Sequence, residues 1–178
     1  MMFMSRGNCG ICVLALALIL ALVGAGWAQT AKPTFSPDHA ILYRRAVGFL
    51  DQAEQKLKAG DLAAAKSVVK QSNSLFTLLQ KEYASMLAER ELSPQEDEQL
   101  AINQKLADDN HAQADRLMAI AAAHEKKAQD LEAQRQEADS KASYRQSRDD
   151  YNRAQNLYLK ASIYSLRNQQ RIFRFLGP

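Results

Sequence analysis

Apolar residues recur three and four apart along most of the chain, the spacing that lines one face of an α-helix. Leu42, Ala46, Phe49, Leu50, Ala53 and Leu57 form one stripe, and Ala65, Val68, Leu75, Leu79, Tyr83 and Met86 a second. The residues between them agree with that reading. Ser36-Pro37-Asp38 supplies a capping hydroxyl, a first-turn proline and a first-turn acid. Ala59-Gly60-Asp61 ends the first helix with a permissive glycine and caps the next with an aspartate. The pattern predicts an antiparallel helical hairpin over 37–92, its second helix stopping near Leu92. Ser93-Pro94-Gln95-Glu96 then has the order of a capping box with a proline start, and opens a third helix.

From Gln95 to Leu176 there is neither glycine nor proline. Ala114, Leu117, Ala121, His124, Ala128 and Leu131, followed by Ala138 and Ala142, keep a rhythm of fours and threes closing to sevens. That is a coiled-coil seam, predominantly of alanine, with His124 as a polar register-setter. Arg135 falls where the repeat expects an apolar residue. A second seam, Tyr151, Ala154, Tyr158 and Ala161, runs out of phase with the first, and "DSKASYRQSRDDYN" between them favours caps and turns. The expected fold is all-α: the hairpin, then a long coiled-coil helix over 94–176 with a kink or short break near 139–150. The alternative is a chain that folds back there.

The first thirty residues read differently. Arg6 and the free amine precede a continuous apolar run, Ile11 to Val23, and Gly26-Trp27-Ala28 offers a cleavage site before Gln29. Residues 1–28 are therefore expected to be a signal peptide and 29–36 a short linker, with the mature protein exported to a bacterial periplasm or cell envelope. If the signal is not cleaved, residues 10–28 are just long enough to anchor the chain in a bilayer. Cys9 and Cys12 lie inside this segment, so a chain starting at Gln29 has no thiol for a disulfide, a metal or catalysis.

The stretch "AVGFLDQAEQKLKAGDLAAAKSVV", residues 46–69, resembles one tetratricopeptide-type helical hairpin. The similarity lies in small Ala53, the Gly60-Asp61 turn and Ala65 on the returning helix, while Gln52 and Ser72 depart from the family pattern. The resemblance implies peptide or protein binding. A single hairpin forms little of the concave groove that arrays of such units build.

Chemistry adds little to this picture. Asp108, His111 and Asp115 share a helical face, but a bundle metal site needs further carboxylate and histidine ligands, so no metal or cofactor is expected. There is no G-x-S-x-G elbow and no phosphate-binding glycine loop, so no catalytic residue is assigned and no enzyme activity expected. A net charge of +3 gives no reason to expect nucleic acid. Its distribution is more telling. Residues 95–140 hold eleven acidic against five basic side chains, and 141–178 two against eight. The basic end, with Arg167, Arg171, Arg174 and Phe173, would suit an anionic membrane or cell-wall surface, or else pair with the acidic stretch in the same chain or a second copy. The expected function is an exported structural or protein-interaction module working through helical coiled-coil contacts, with a protein partner or by self-association. Rival expectations are a peripheral envelope-binding protein and a ligand-carrying or chaperone-like bundle.

Overall fold

The structure, a computed structural model, describes residues 36–177. The expected signal peptide, its cysteines, the bilayer anchor and nearly all of the linker lie outside the described residues. Within 36–177 the chain is all-α: α1 (Pro37–Lys58), α2 (Leu62–Glu82), α3 (Ala84–Glu89), α4 (Pro94–Ala133), α5 (Glu137–Ile172) and a closing 3-10 turn, Arg174–Leu176. No helix among the described residues is long and apolar enough to cross a membrane.

The helix starts use the expected caps. Ser36 Oγ accepts from Asp38 N, and Asp61 Oδ1 accepts from Ala64 N at 3.0 Å. At α4, Ser93 Oγ accepts from Glu96 N while the Glu96 carboxylate accepts from Ser93 N at 3.0 Å, a complete capping box. These bonds satisfy donors that a helix start leaves without partners. Accepting from Ser93, with the Arg90 guanidinium nearby, holds the Glu96 carboxyl below its ordinary range. The second helix, expected to reach Leu92, stops at Glu82. Tyr83 leaves helical geometry at φ −107° and ψ 14°, and α3 is a separate short piece.

The long segment is two helices. In place of the expected long helix with a kink, the chain folds back, at Gln134–Gln136 rather than near 139–150, so α4 and α5 run antiparallel, about 60 and 54 Å long at 1.5 Å per residue. Arg135 takes a left-handed φ of 60°. Around it, Arg135 N donates to Glu132 O and Gln136 N to Leu131 O, each at 2.9 Å. The Gly60 turn makes the same pair of bonds, to Leu57 O and Lys56 O, at φ 77°. Both ends are closed by one motif that needs a left-handed residue, normally glycine.

Two regions result. In the body, α1 and α2 pack on each other and on the C-terminal part of α5. Their core includes Leu50, Phe76, Leu79, Tyr83, Leu159, Ile163, Leu166, Phe173 and Leu176. The departure at Ser72 has a visible role: its side chain is fully buried and its hydroxyl donates to Ala46 O at 2.8 Å, tying α2 to α1. Arg90 fastens the far end, donating to Ile172 O and to Glu96 Oε1 at 2.9 Å, with its guanidinium 5.5 Å from the Phe175 ring centre. Beyond the body, the distal parts of α4 and α5 have only each other as extensive neighbours and form a two-helix arm.

Candidate functional site

The arm is the first candidate surface. Ala114, Ala121 and Ala128 are fully buried, at strict seven-residue spacing, with Ala107 one heptad earlier. Opposite them α5 buries Ser140, Ser143, Ser147, Asp150, Ala154 and Ala161. Methyls and hydroxyls at these positions let two helix backbones approach closely, and leave little apolar area to bury. Leu117, His124 and Leu131 are half-buried beside the alanines. Ala138 and Ala142 are exposed, which corrects their expected place in the seam. The reversal at Arg135 starts a new helix with its own phase, and Ser140 and Ser143 take the inward positions.

The expected seam is therefore satisfied inside one chain. Its acidic and basic halves do pair, yet charge pairs are not what joins them. The only ion pair between α4 and α5 among the described residues is His124 with Asp150, Nδ1 to Oδ2 at 3.1 Å. Asp150 is only 9% exposed and also lies 3.6 Å from Arg153, so its buried carboxylate has partners on both helices. Near the base Asn168 Nδ2 donates to Leu100 O at 3.1 Å, and along the arm the cross-links are tyrosine hydroxyls. Tyr144, Tyr151 and Tyr158, seven residues apart, donate to Glu132, Glu125 and Asp115 at 3.1, 3.0 and 2.5 Å.

This ladder moves the groups it joins. The bond to Glu125 raises the Tyr151 phenol and the bond to Asp115 raises Tyr158. For Tyr144, desolvation comes first and the Glu132 bond second. Accepting from Tyr158 holds the Asp115 carboxyl below its usual range, with His111 adding to the effect. His111 Nδ1 lies 3.2 Å from Asp115, and its ring meets Tyr158 edge-on. The face once considered for a metal is thus an exposed hydrogen-bonded set. Among the described residues no group of three or more metal-ligating side chains is gathered.

The second candidate surface is at the base of the arm. Arg167, Arg171 and Arg174 line one cleft of about 570 Å³, together with Tyr43 and Glu54 of α1, Asn103 of α4, and Tyr164, Gln170 and Gly177. Phe173 does not join them. It is fully buried, near-parallel to Phe76 with ring centres 6.2 Å apart, which corrects its expected role at an anionic surface. Arg167 is also largely committed, donating Nε to Glu54 and Nη2 to Asp51, each at 2.9 Å. Burial alone would lower its pKa, but the bonds to Glu54 and Asp51 outweigh that and raise it. Arg171 and Arg174 are exposed and make no ion pair among the described residues.

Sequence reasoning passed over Asn103 and Tyr144, and Tyr164 stood out only as one of the aromatics of the basic end. The even spacing of 144, 151 and 158 is visible in the sequence, but the expected second seam takes only Tyr151 and Tyr158 of the three, because a long kinked helix sets no α4 carboxylates opposite them. No protein-family model, curated protein or solved structure matches the chain.

Proposed function

We propose that the protein is an exported helical interaction module that associates with a second copy of itself through its arm. The observation that carries this reading is an imbalance. Helix α4 holds nine acidic and four basic residues, and α5 seven basic and four acidic, yet one histidine–aspartate pair is the only ion pair between them among the described residues. Most of the charge on each helix consequently faces outward. A second arm laid antiparallel would set acidic α4 against basic α5 twice over, by two-fold symmetry. Exposed Met118 and Ile120 on α4 and Tyr144 on α5 supply apolar contact on those outer faces. Charge selects the orientation here, since exposed pairs each contribute only about 0.2–1 kcal/mol.

Export rests on the N-terminal segment alone, and the intact mass of the secreted protein tests it: a chain starting at Gln29 is expected. For the association, solution mass is compared between the intact protein and a variant lacking two heptads from each helix, residues 119–132 and 138–151. This deletion keeps the Arg135 turn and the antiparallel register. The intact protein should be an elongated dimer that higher salt weakens, and the shortened one a monomer with its body still folded. A monomeric intact protein at all concentrations would overturn self-association. The rival reading, contact with an anionic envelope surface, is supported by exposed Arg171 and Arg174 and weakened by the burial of Phe173.

A further inference from the structure

The cleft at the base of the arm has features that a dimerisation device does not require. Its walls come from α1, α4, α5 and the closing 3-10 turn, and its volume of about 570 Å³ is within the range of small-molecule sites, roughly 300–1,000 Å³. Arg167, Arg171 and Arg174, spaced four and three apart, all line it. Like charges at that spacing repel, and a fold normally relieves them with nearby acids. Direct ion pairs are given only to Arg167, while Arg174 has the longer-range attraction of Glu96. Glu54, the one acid in the lining, sits 2.8 Å from the Arg167 Nη2 and is consumed by it, as is Asp51 at 2.9 Å. Arg171 and Arg174 are left on the cleft with no carboxylate at ion-pair distance among the described residues.

Uncharged donors converge on the same space. Asn103 is only 8% exposed at a helical position otherwise suited to an apolar side chain. Its Oδ1 accepts from Gln99 at 3.4 Å, which leaves its amide NH2 as a donor in the cleft wall. Gln170 is oriented in the same way: its Oε1 accepts from Arg167 Nη1 at 2.6 Å, leaving its own NH2 to donate. The Tyr164 phenol joins the same wall. Tyr43 is held in place by its bond to Gln170 O at 3.1 Å, and its ring closes the rim against Gly177, where an added Cβ would come within 3.1 Å.

We infer that this cleft binds a small organic anion, its carboxylate or phosphate group held by Arg171 and Arg174 and its body hydrogen-bonded by Asn103, Gln170 and Tyr164. Planar guanidiniums suit either oxyanion because each offers two parallel donors. A bilayer surface is a poorer fit. The large apolar side chains next to the arginines do not face outward: Phe173 is fully buried and Leu176 nearly so.

The test is calorimetric titration of the full-length mature protein with citrate, with inorganic phosphate, and with phosphatidylglycerol vesicles, each at matched ionic strength. Saturable one-to-one binding of citrate or phosphate is expected, and which binds tighter identifies the oxyanion. The double variant Arg171→Gln, Arg174→Gln should abolish it while helicity and melting temperature hold, because both side chains are exposed. Arg171→Lys keeps the charge near the end of α5 and any structural role that charge has. It should still weaken binding about tenfold, through loss of the paired donors. Binding that survives the double variant would overturn the site. So would binding to vesicles alone, or no saturable binding of either anion. Dimer mass is expected to be the same in both variants, which separates failure of this site from failure of the association through the arm.

Discussion

Helix α5 has two different neighbours along its length, and it meets them with different chemistry. In the body it contributes Leu159, Ile163 and Leu166 to a core of phenylalanine, tyrosine and leucine. Along the arm it contributes Ser140, Ser143 and Ser147 to a seam with Ala121 and Ala128. Full burial of a leucine or phenylalanine side chain is worth about 1.5–3 kcal/mol, and a methyl group closer to 0.8. The body therefore carries most of the stability. The arm keeps its pairing by close approach and by side-chain hydrogen bonds along its flank. Two regions of one helical layout thus differ in how they open: the body cooperatively, the arm locally and at lower free energy.

The largest expected effect is in the body. Phe173→Ala removes a ring packed against Phe76, Tyr83 and Phe175 and should cost about 3–5 kcal/mol in thermal or denaturant unfolding. A cost under 1 kcal/mol would mean that the C-terminal turn is not part of the core. The arm should respond in the opposite sense to added bulk. In an ordinary coiled coil, leucine in place of a seam alanine adds apolar burial. Here Ala121→Leu should force the helices apart and cost about 1–3 kcal/mol. Hydrogen exchange should show that loss in the distal parts of α4 and α5 while the protection of α1 and α2 is retained. A more stable arm would refute the close approach.

A smaller effect concerns the tyrosine ladder, which has no counterpart in the body. The phenols of Tyr144, Tyr151 and Tyr158 are raised in the folded state, so their contribution is complete below the ordinary phenol range near pH 10. It is lost as pH rises through the higher folded values. Asp115 is lowered, so its contribution is present above the ordinary aspartate range near 4 and lost as pH falls through the depressed value. The arm should hold best between these limits. Tyr43 and Tyr83 are also raised by burial, so alkaline loosening of the body is expected as well. The triple variant Tyr144→Phe, Tyr151→Phe, Tyr158→Phe separates the two. Exchange in its arm should be faster at neutral pH and lose its alkaline step, with the body unaltered. An arm as protected as in the unsubstituted protein would mean that the hydroxyls contribute nothing to the pairing.

Much of this fold was legible where local chemistry determines it. Ser36, Asp61 and Ser93 mark helix starts because a side-chain oxygen is the cheapest partner for the first free amides, and all three cap as read. The alanine heptad through Ala114, Ala121 and Ala128 was visible from spacing alone. Two other features were hidden by the same ambiguity, that residue type does not specify a side chain's surroundings. Serines 140, 143 and 147 resemble turn formers, yet they are small enough for a close helix contact and are buried in one. Phe173 among arginines resembles a membrane-seeking end, yet Leu159, Ile163, Leu166, Phe173 and Leu176 form an apolar stripe of their own, distinct from the alanine stripe. At the cleft, the arginine spacing was visible but its neutralisation was not. Asp51 and Glu54 lie more than a hundred residues from Arg167 in sequence.

The misplaced reversal has a more specific cause, and it leads to the smallest predicted effect. Gly60 and Arg135 end their helices with the same hydrogen bonds and nearly the same φ, but only glycine announces such an ending. An L-residue at left-handed φ brings Cβ close to the following carbonyl, at about 1–2 kcal/mol. Arg135→Gly removes that strain and gives part of it back through a more flexible unfolded chain, which for glycine amounts to about 0.4–1 kcal/mol. A net gain of a few tenths to about 1 kcal/mol is expected, read as slower exchange at the tip of the arm with the body unmoved. Arg135→Asn should be close to neutral, because asparagine tolerates this conformation, and Arg135→Val should be the worst of the three. The order glycine, asparagine, valine tests the backbone argument apart from charge, since all three substitutions remove the same guanidinium from beside Glu132 and Glu137. If valine proved no worse than glycine, the chain would have to turn back elsewhere, and α4 and α5 would lose the register on which the tyrosine ladder depends.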